Sequence, residues 1–380
     1  MPGMDFSHVV VGGGAIGLAI ASRLVTPTLT SSAARNVLMI ERNRHVGMET
    51  SARNSEVIHA GLYYPLDSLK TELCIKGKHM LYDLFERQNI PYRKTGKWIV
   101  AQNAQEAEYL QGLKSKADGL DVPVKYLSSA EANRLEPHIR ADECVLESTS
   151  TGIMDSHSLM QYLLHKFESD GGDVSLGTSI TDIQQIPGGY KLITESESSS
   201  EPFEITTSCV INSSGLAAVK IANMILPETA KVKGYYAKGQ YYSYTGHPRP
   251  SRLIYPCPAP DLAGLGTHLT LDLAGQIRFG PDIEWIEDPS DYSTSDTRLE
   301  EVYQAVKLFY PSLDRARLGV DYCGIRPKMT PQGASASDFM IRDEESNGLP
   351  GFINLLGIES PGLTSCLSLA EHVEKMARIA

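Results

Sequence analysis

The chain has 380 residues, 42% of them hydrophobic, and a formal net charge of −11 from 35 Lys plus Arg against 46 Asp plus Glu. Such a length and apolar content can bury a large core in more than one structural unit, which excludes a disordered or fibrous protein. The negative balance repels polyanions, so no nucleic-acid partner is expected, and any small anionic substrate has to be captured by positive groups gathered locally against the background field.

The cysteines, Cys74, Cys144, Cys209, Cys257, Cys323 and Cys366, show no C-x-x-C pair and no ligand spacing, so they read as reduced thiols and no metal site is expected. The apolar run Val9–Val25 follows Asp5 and is interrupted by three glycines, unlike a signal peptide, and no apolar span is long enough to cross a bilayer. An intracellular protein, cytoplasmic by default and without a transmembrane segment, is the expectation.

In chain order, His8–Val11 reads as a short buried strand, Gly12-Gly13-Gly14 as a turn, and Ala15–Val25 as an apolar helix closed by Pro27. After a polar loop, Asn36–Ile40 is a second strand ending at Glu41. Leu69–Gln88 carries apolar residues at helical spacing up to Pro91; Trp98–Ala101 reads as a strand and Gln105–Lys116 as a surface helix; Ser128-x-x-Glu131 is a capping box. Asp155 caps a helix through Phe167, and Gly171-Gly172 leads into a strand through Ile180. Tyr190–Thr194 and Phe203–Asn212 flank the polar tract SESSSE as a hairpin, and the second strand runs into a turn at Gly215 followed by a helix. From Lys231 onward, YYAKGQYYSY, SRLIYPCP and THLTLDLAGQIRFGP supply strands, the last with an Ala274-Gly275 hairpin, before an amphipathic helix carrying Leu299, Val302 and Val306. The strand Gly351–Gly357 and a helix from Gly362 to Ile379 finish the chain.

The pattern Gly12-x-Gly14-x-x-Gly17 gains force from its place between a strand and a helix. The first glycine turns the chain, the second admits pyrophosphate to the backbone, and the third lets the helix pack on the strand. The helix N-terminus offers unpaired N–H groups to the phosphates, and Glu41 ends the second strand, where an acidic residue accepts ribose hydroxyls. The bland alternative is a glycine-rich turn beside a surface glutamate. The motif alone does not separate NAD from FAD, but two further strand-to-glycine-to-helix joints, Asn212–Gly215 and Gly357–Gly362, suit a long cofactor threading past the sheet.

The block GMETSARNSEVIHAGLYY (Gly47–Tyr64), the string YCGIRPK (Tyr322–Lys328) and the terminal GIESPGLTSCLS, together with the glycine motif, resemble the D-amino-acid-oxidase superfamily of FAD enzymes, most of all its L-2-hydroxyglutarate dehydrogenase/oxidase branch. The resemblance extends from the N-terminus to the last helix. It implies an α/β fold with a Rossmann-like, doubly wound FAD domain assembled from residues 1–90, 145–230 and 320–380, and an interleaved β-rich α+β substrate domain, 91–144 and 231–319, capping the flavin. It places Gly12, Gly14, Ala15, Ile16, Gly17, Glu41 and Arg42 at the nucleotide, Thr50, Ser51, Arg53, Asn54 and Ser55 along the flavin and pyrophosphate, and Ile180 with its backbone to the adenine. Ser214 and Gly215 would follow the cofactor, while Gly357, Ile358, Gly362, Leu363 and Thr364 would lie beside the pyrimidine end of the ring.

The implied reaction removes hydride from a small 2-hydroxy acid to flavin N5, L-2-hydroxyglutarate being the first candidate and an amino-acid or amine oxidase of the same fold the alternative. A cofactor-binding scaffold without turnover is the third reading. Arg326, where the superfamily places its carboxylate-binding arginine, offers a planar fork that lysine cannot copy. His59 and His268 compete as the base, an imidazole titrating near neutrality being suited to take the hydroxyl proton. Tyr255 is the preferred tyrosine to close the pocket or donate to the carboxylate, with Tyr63 and Tyr64 behind it, and Lys238 or Arg278 stand as cations for a second carboxylate. The electron acceptor is left open among oxygen, a quinone and an electron-transfer flavoprotein, and the family leaves mitochondrial residence open.

Overall fold

The computed structural model describes residues 3–26, 36–197, 199, 201–258 and 266–377. Pro27 and the polar loop after it, Ser198 and Ser200 of the SESSSE tract, and Ile379 lie outside the described residues.

The apolar strand Phe6–Val11 pairs in parallel with Val37–Ile40 on one side and with Phe203–Asn212 on the other, and the latter continues in parallel to Leu349–Leu356. Successive residues of these strands point to opposite faces. Val10, Met39, Ile211 and Ile353 therefore enter a core shared with the helices Ala15–Val25, Leu69–Gln88, Ser156–Ser169 and Gly362–Met376, whereas Val9, Leu38, Val210 and Phe352 enter a second core on the far side. Burial on both faces explains why these strands read as unbroken apolar runs, and the parallel sheet flanked by helices bears out the expected α/β class. Thr178–Ile186 and Gly189–Ser196 extend the sheet as an antiparallel hairpin onto Phe203–Thr207.

One expected element is corrected. Gly171-Gly172 does not open a single strand through Ile180, because Gly177, at φ +62, breaks it into Asp173–Ser175, parallel to Val37–Ile40, and Thr178–Ile186.

Among the described residues a nine-stranded sheet forms the other layer. Its spine is Tyr235–Tyr244, paired with Leu318–Lys328 along nearly its whole length and with Ile277–Gly280 and Glu284–Ile286. Leu253–Pro256 runs parallel to Lys97–Ala101, so the two excursions form one sheet, over which the helices Ala104–Gly119 and Leu299–Lys307 pack. The expected boundaries at residues 145 and 320 fall inside strands of this sheet, Cys144–Ser148 and Leu318–Lys328, because ladder hydrogen bonds tie both to cap strands. The capping box at Ser128 and Glu131 is formed, and Asp155 caps its helix on Ser158 N.

Three glycines set how closely the parts approach. A Cβ on Gly17 would lie 1.8 Å from Gly12 O, one on Gly77 would lie 2.4 Å from Thr364 O where two helices meet, and one on Gly324 would lie 2.0 Å from Arg53 O where the strand Leu318–Lys328 meets the turn at Arg53.

Gly17→Ala forces backbone apart in the nucleotide-binding turn, so its thermal midpoint falls by roughly 5 °C or more. Gly112, inside the helix Ala104–Gly119, has nothing within 4 Å of its virtual Cβ, so Gly112→Ala raises the midpoint by about 1–3 °C through helix propensity. Thermal unfolding of both variants checks the pair; a Gly17→Ala midpoint at or above the parent's refutes the close contact.

Candidate active site

A continuous cleft of about 1480 Å³ runs between the two sheets, larger than the few hundred to 1,000 Å³ of a typical small-molecule site and so able to take a dinucleotide and a substrate together. At one end, Gly12 turns the chain at φ +103, with Ser213 O 2.7 Å from its virtual Cβ. The helix Ala15–Val25 then begins at Gly14 with no side-chain cap. Gly14, Ala15 and Ile16 line the cleft, and the Ala15 amide donates to Ser51 Oγ at 3.0 Å. An uncapped helix end with glycine at its mouth fits a pyrophosphate. Glu41, buried at the end of its strand, accepts from Gly13 N at 2.7 Å and from Asn43 N at 2.8 Å, and these bonds leave lone pairs for a ribose. Arg42 pairs with Glu49 at 2.6 Å beside it, and Ile180 lines the same end.

The middle of the cleft is built by the turn residues 47–56. Asn54 Nδ2 donates to Ser51 O at 2.7 Å and Asn54 Oδ1 accepts from Glu56 N, so this side chain holds the turn in shape. Thr50 Oγ1 donates to Ile325 O at 3.0 Å and Tyr322 Oη to Asn54 O, fastening the turn to the strand that carries Arg326. The Arg53 guanidinium lies over the Tyr292 ring, 4.4 Å from its centre.

At the far end Arg326, His59, His268 and Tyr255 all line the cleft, as do Ile358, Gly362, Leu363 and Thr364 of the last joint. Ser214 and Gly215 line it from the middle strand, whereas Gly17 and Gly357 do not; Gly17 is turned against Gly12 O, and Gly357, at φ +65, packs against Met329. Among the described residues Arg326 has no carboxylate partner, so its fork is free to receive an anion. The His59 amide donates to Thr364 Oγ1 at 3.1 Å, and its Nε2 lies 3.5 Å from Ser360 Oγ. Burial, and then the charge of Lys97, push the His59 imidazole down to about 3. Its titration therefore lies far below neutrality, unlike the expectation. His268 stacks flat on Tyr255, ring centres 3.6 Å apart and planes 4° apart, which covers one face of the imidazole. Burial holds the Tyr255, Tyr63 and Tyr241 hydroxyls well above the usual phenol range, so each is a neutral donor.

Two expected cations are elsewhere. Lys238 is paired with Glu284 and Asp291, and Arg278 with Asp321 and Asp272; neither lines the cleft, because carboxylates from other strands and from the connections between them hold both. Lys70 and Lys328 line it instead, joined through Glu359 at 3.2 and 2.8 Å. Also unforeseen is Lys97, buried at the cleft's back, with Nζ 4.4 Å from the Tyr63 ring centre and 4.6 Å from that of Tyr255; burial pushes its ammonium down to about 7. A lysine opening the otherwise apolar GKWIVA, and a glutamate inside the small-residue run GIESPG, were the signals available for these groups.

Comparison with known proteins agrees with this geometry. A family model described as FAD dependent oxidoreductase, DAO, matches residues 7–376. The mitochondrial L-2-hydroxyglutarate dehydrogenase of Arabidopsis thaliana is 36% identical over 408 aligned residues, covering 96% of this chain and 82% of its own. The L-2-hydroxyglutarate dehydrogenase of Indibacter alkaliphilus is 28% identical, covering 97% and 98%. Among solved structures, the FAD-bound L-alpha-glycerophosphate oxidase of Mycoplasma pneumoniae superposes with a TM-score of 0.86 at 23% identity, covering 99% of this chain and 95% of that one, which establishes a shared fold. Matched over nearly its whole length, the chain belongs to the DAO family of FAD-dependent oxidoreductases.

Proposed function

We propose that the protein oxidises a small L-2-hydroxy acid to the 2-oxo acid, with L-2-hydroxyglutarate as the first substrate. The observation that carries this reading is a single cleft lined both by a dinucleotide cradle and by the unpaired Arg326 fork, His59, His268 and Tyr255; the 36% identical relative named for that substrate supports it. Gly12, Gly14, Ala15 and Ile16 would hold the pyrophosphate, Glu41 the ribose, Ile180 the adenine, and Thr50, Ser51, Asn54, Gly362 and Thr364 the flavin. FAD, when bound by these residues, would supply the acceptor for the C2 hydride, with oxygen, a quinone or an electron-transfer flavoprotein as the acceptor beyond it.

Arg326 grips the C1 carboxylate with two parallel N–H bonds, which fixes the direction in which C2 presents its hydrogen. Tyr255, neutral in its stack on His268, donates from the side. We assign the hydroxyl proton to Nε2 of His59. Burial and the charge of Lys97 keep its ring unprotonated across the working range and make it a weak base, so the proton moves to it only as hydride leaves C2, whereas the His268 imidazole is held in its stack on Tyr255.

Anaerobic addition of L-2-hydroxyglutarate to the FAD-loaded protein bleaches the flavin absorbance; bleaching by amino acids and by no hydroxy acid would pass the site to the amino-acid oxidase reading. Arg326→Lys lowers kcat/KM about 10- to 100-fold, since one ammonium cannot reproduce the fork. His59→Gln lowers kcat by about 10²- to 10⁴-fold with flavin still bound, while His268→Gln has the smaller effect; the reverse order transfers the role. Because burial holds the His59 imidazole down to about 3, its protonation produces no acid limb in kcat/KM down to about pH 5; an acid limb near the ordinary imidazole value of about 6.5 that is absent from His59→Gln overturns the low titration but keeps His59 as the base, whereas one that persists in His59→Gln and is absent from His268→Gln transfers the role.

A further inference from the structure

We propose that Lys328, braced by Lys70 through a shared Glu359, binds the second carboxylate of a dicarboxylic 2-hydroxy acid, so that this cleft selects a diacid of about five carbons; the assignment rests on the functional reading above. Lys328 stands two residues beyond Arg326 on the strand Leu318–Lys328, whose pairing with Tyr235–Ala237 stays regular through that end. Residues i and i+2 of a strand project to the same face, about 6.6 Å apart. Arg326 and Lys328 both line the cleft, as does the buried Pro327 between them. The end carbons of a five-carbon diacid are four C–C bonds of about 1.5 Å apart, about 5 Å in zigzag, and two long cationic side chains rooted about 6.6 Å apart on one strand can reach two carboxylates at that separation.

The triad is built rather than incidental. Lys70, Glu359 and Lys328 have side chains only 5%, 8% and 16% exposed, and Glu359 receives Lys70 Nζ at 3.2 Å and Lys328 Nζ at 2.9 and 2.8 Å. One carboxylate between two ammonium groups leaves a positive charge in a nearly dry place, which attracts an anion strongly. Lys328 has three donors and can keep Glu359 while donating to a substrate. Asp338, the other carboxylate nearby, is engaged by the amides of Leu69, Lys70 and Phe339 and forms no ion pair with either lysine. Lys70 is held in place by the rings of Tyr64 and Phe339, 5.8 and 5.5 Å from its Nζ.

The test compares kcat/KM for L-2-hydroxyglutarate with that for L-2-hydroxyvalerate, its five-carbon monoacid analogue, in the FAD-loaded protein and in Lys328→Met and Lys328→Arg. The expected result is a diacid-over-monoacid ratio about 10- to 100-fold lower in Lys328→Met and largely restored in Lys328→Arg. A ratio in Lys328→Met equal to the parent's overturns the proposal. Glutarate and butyrate, titrated into the unmodified protein and followed by perturbation of the flavin spectrum, give an arm that needs no variant: glutarate binds at least about tenfold more tightly than butyrate, and equal binding overturns the proposal. Failure of every 2-hydroxy acid to bleach the flavin would sink the functional reading alone, because the glutarate comparison still reads the second cation.

Discussion

The backbone of Gly324 lies so close to the carbonyl of Arg53 that a methyl group there would stand 2.0 Å from it. This one contact joins the cap sheet to the turn that follows the nucleotide-binding crossover. The bonds from Thr50 to Ile325 and from Tyr322 to Asn54 lock it from both sides. Ser51, whose hydroxyl meets the first amide of the phosphate-facing helix, and Arg326, whose fork faces the substrate end, are thereby held in a fixed relation. A reaction that needs a cofactor and an acid group aligned within a fraction of an ångström depends on such a joint.

The charge distribution follows from the same architecture. A chain with a net charge of −11 places Arg326, Lys70, Lys328 and Lys97 in or directly behind one cleft. Low-dielectric walls strengthen such charges, while the acidic exterior keeps them from acting at a distance. Lys97 differs from Lys70 and Lys328 in forming no ion pair among the described residues, its ammonium meeting two tyrosine faces instead. Two tyrosine rings offset part of its burial, and its field acts on His59, where a second positive charge is disfavoured.

Local signals were legible in the sequence. The glycine motif between strand and helix, the capping box at Ser128, the Asp155 cap and the hairpin around SESSSE each depend on residues within a few positions of one another, and each is formed. What depended on distant partners was not. Cys144–Ser148 and Leu318–Lys328 carry nothing in their own residues that assigns them to the cap sheet; their partners, Lys97–Ala101 and Tyr235–Tyr244, do. Lys238 and Arg278 read as available cations because the carboxylates that neutralise them arrive from other strands and from the connections between them. A lysine starting a strand usually marks an exposed edge, but here Leu253–Pro256 covers that edge and Lys97 is buried.

The order of strands also bears on how the molecule is made. Phe6–Val11, the first strand synthesised, finds a neighbour in Val37–Ile40 at once, but its other neighbour begins near residue 203, and the strand beyond that ends at Leu356. On a ribosome that releases the chain from its amino end, the nucleotide crevice stays half-walled until the strand ending at Leu356 has emerged. The full wall of that crevice is thus built from strands far apart along the chain, and until the last of them arrives the first strands have an apolar flank without its partner.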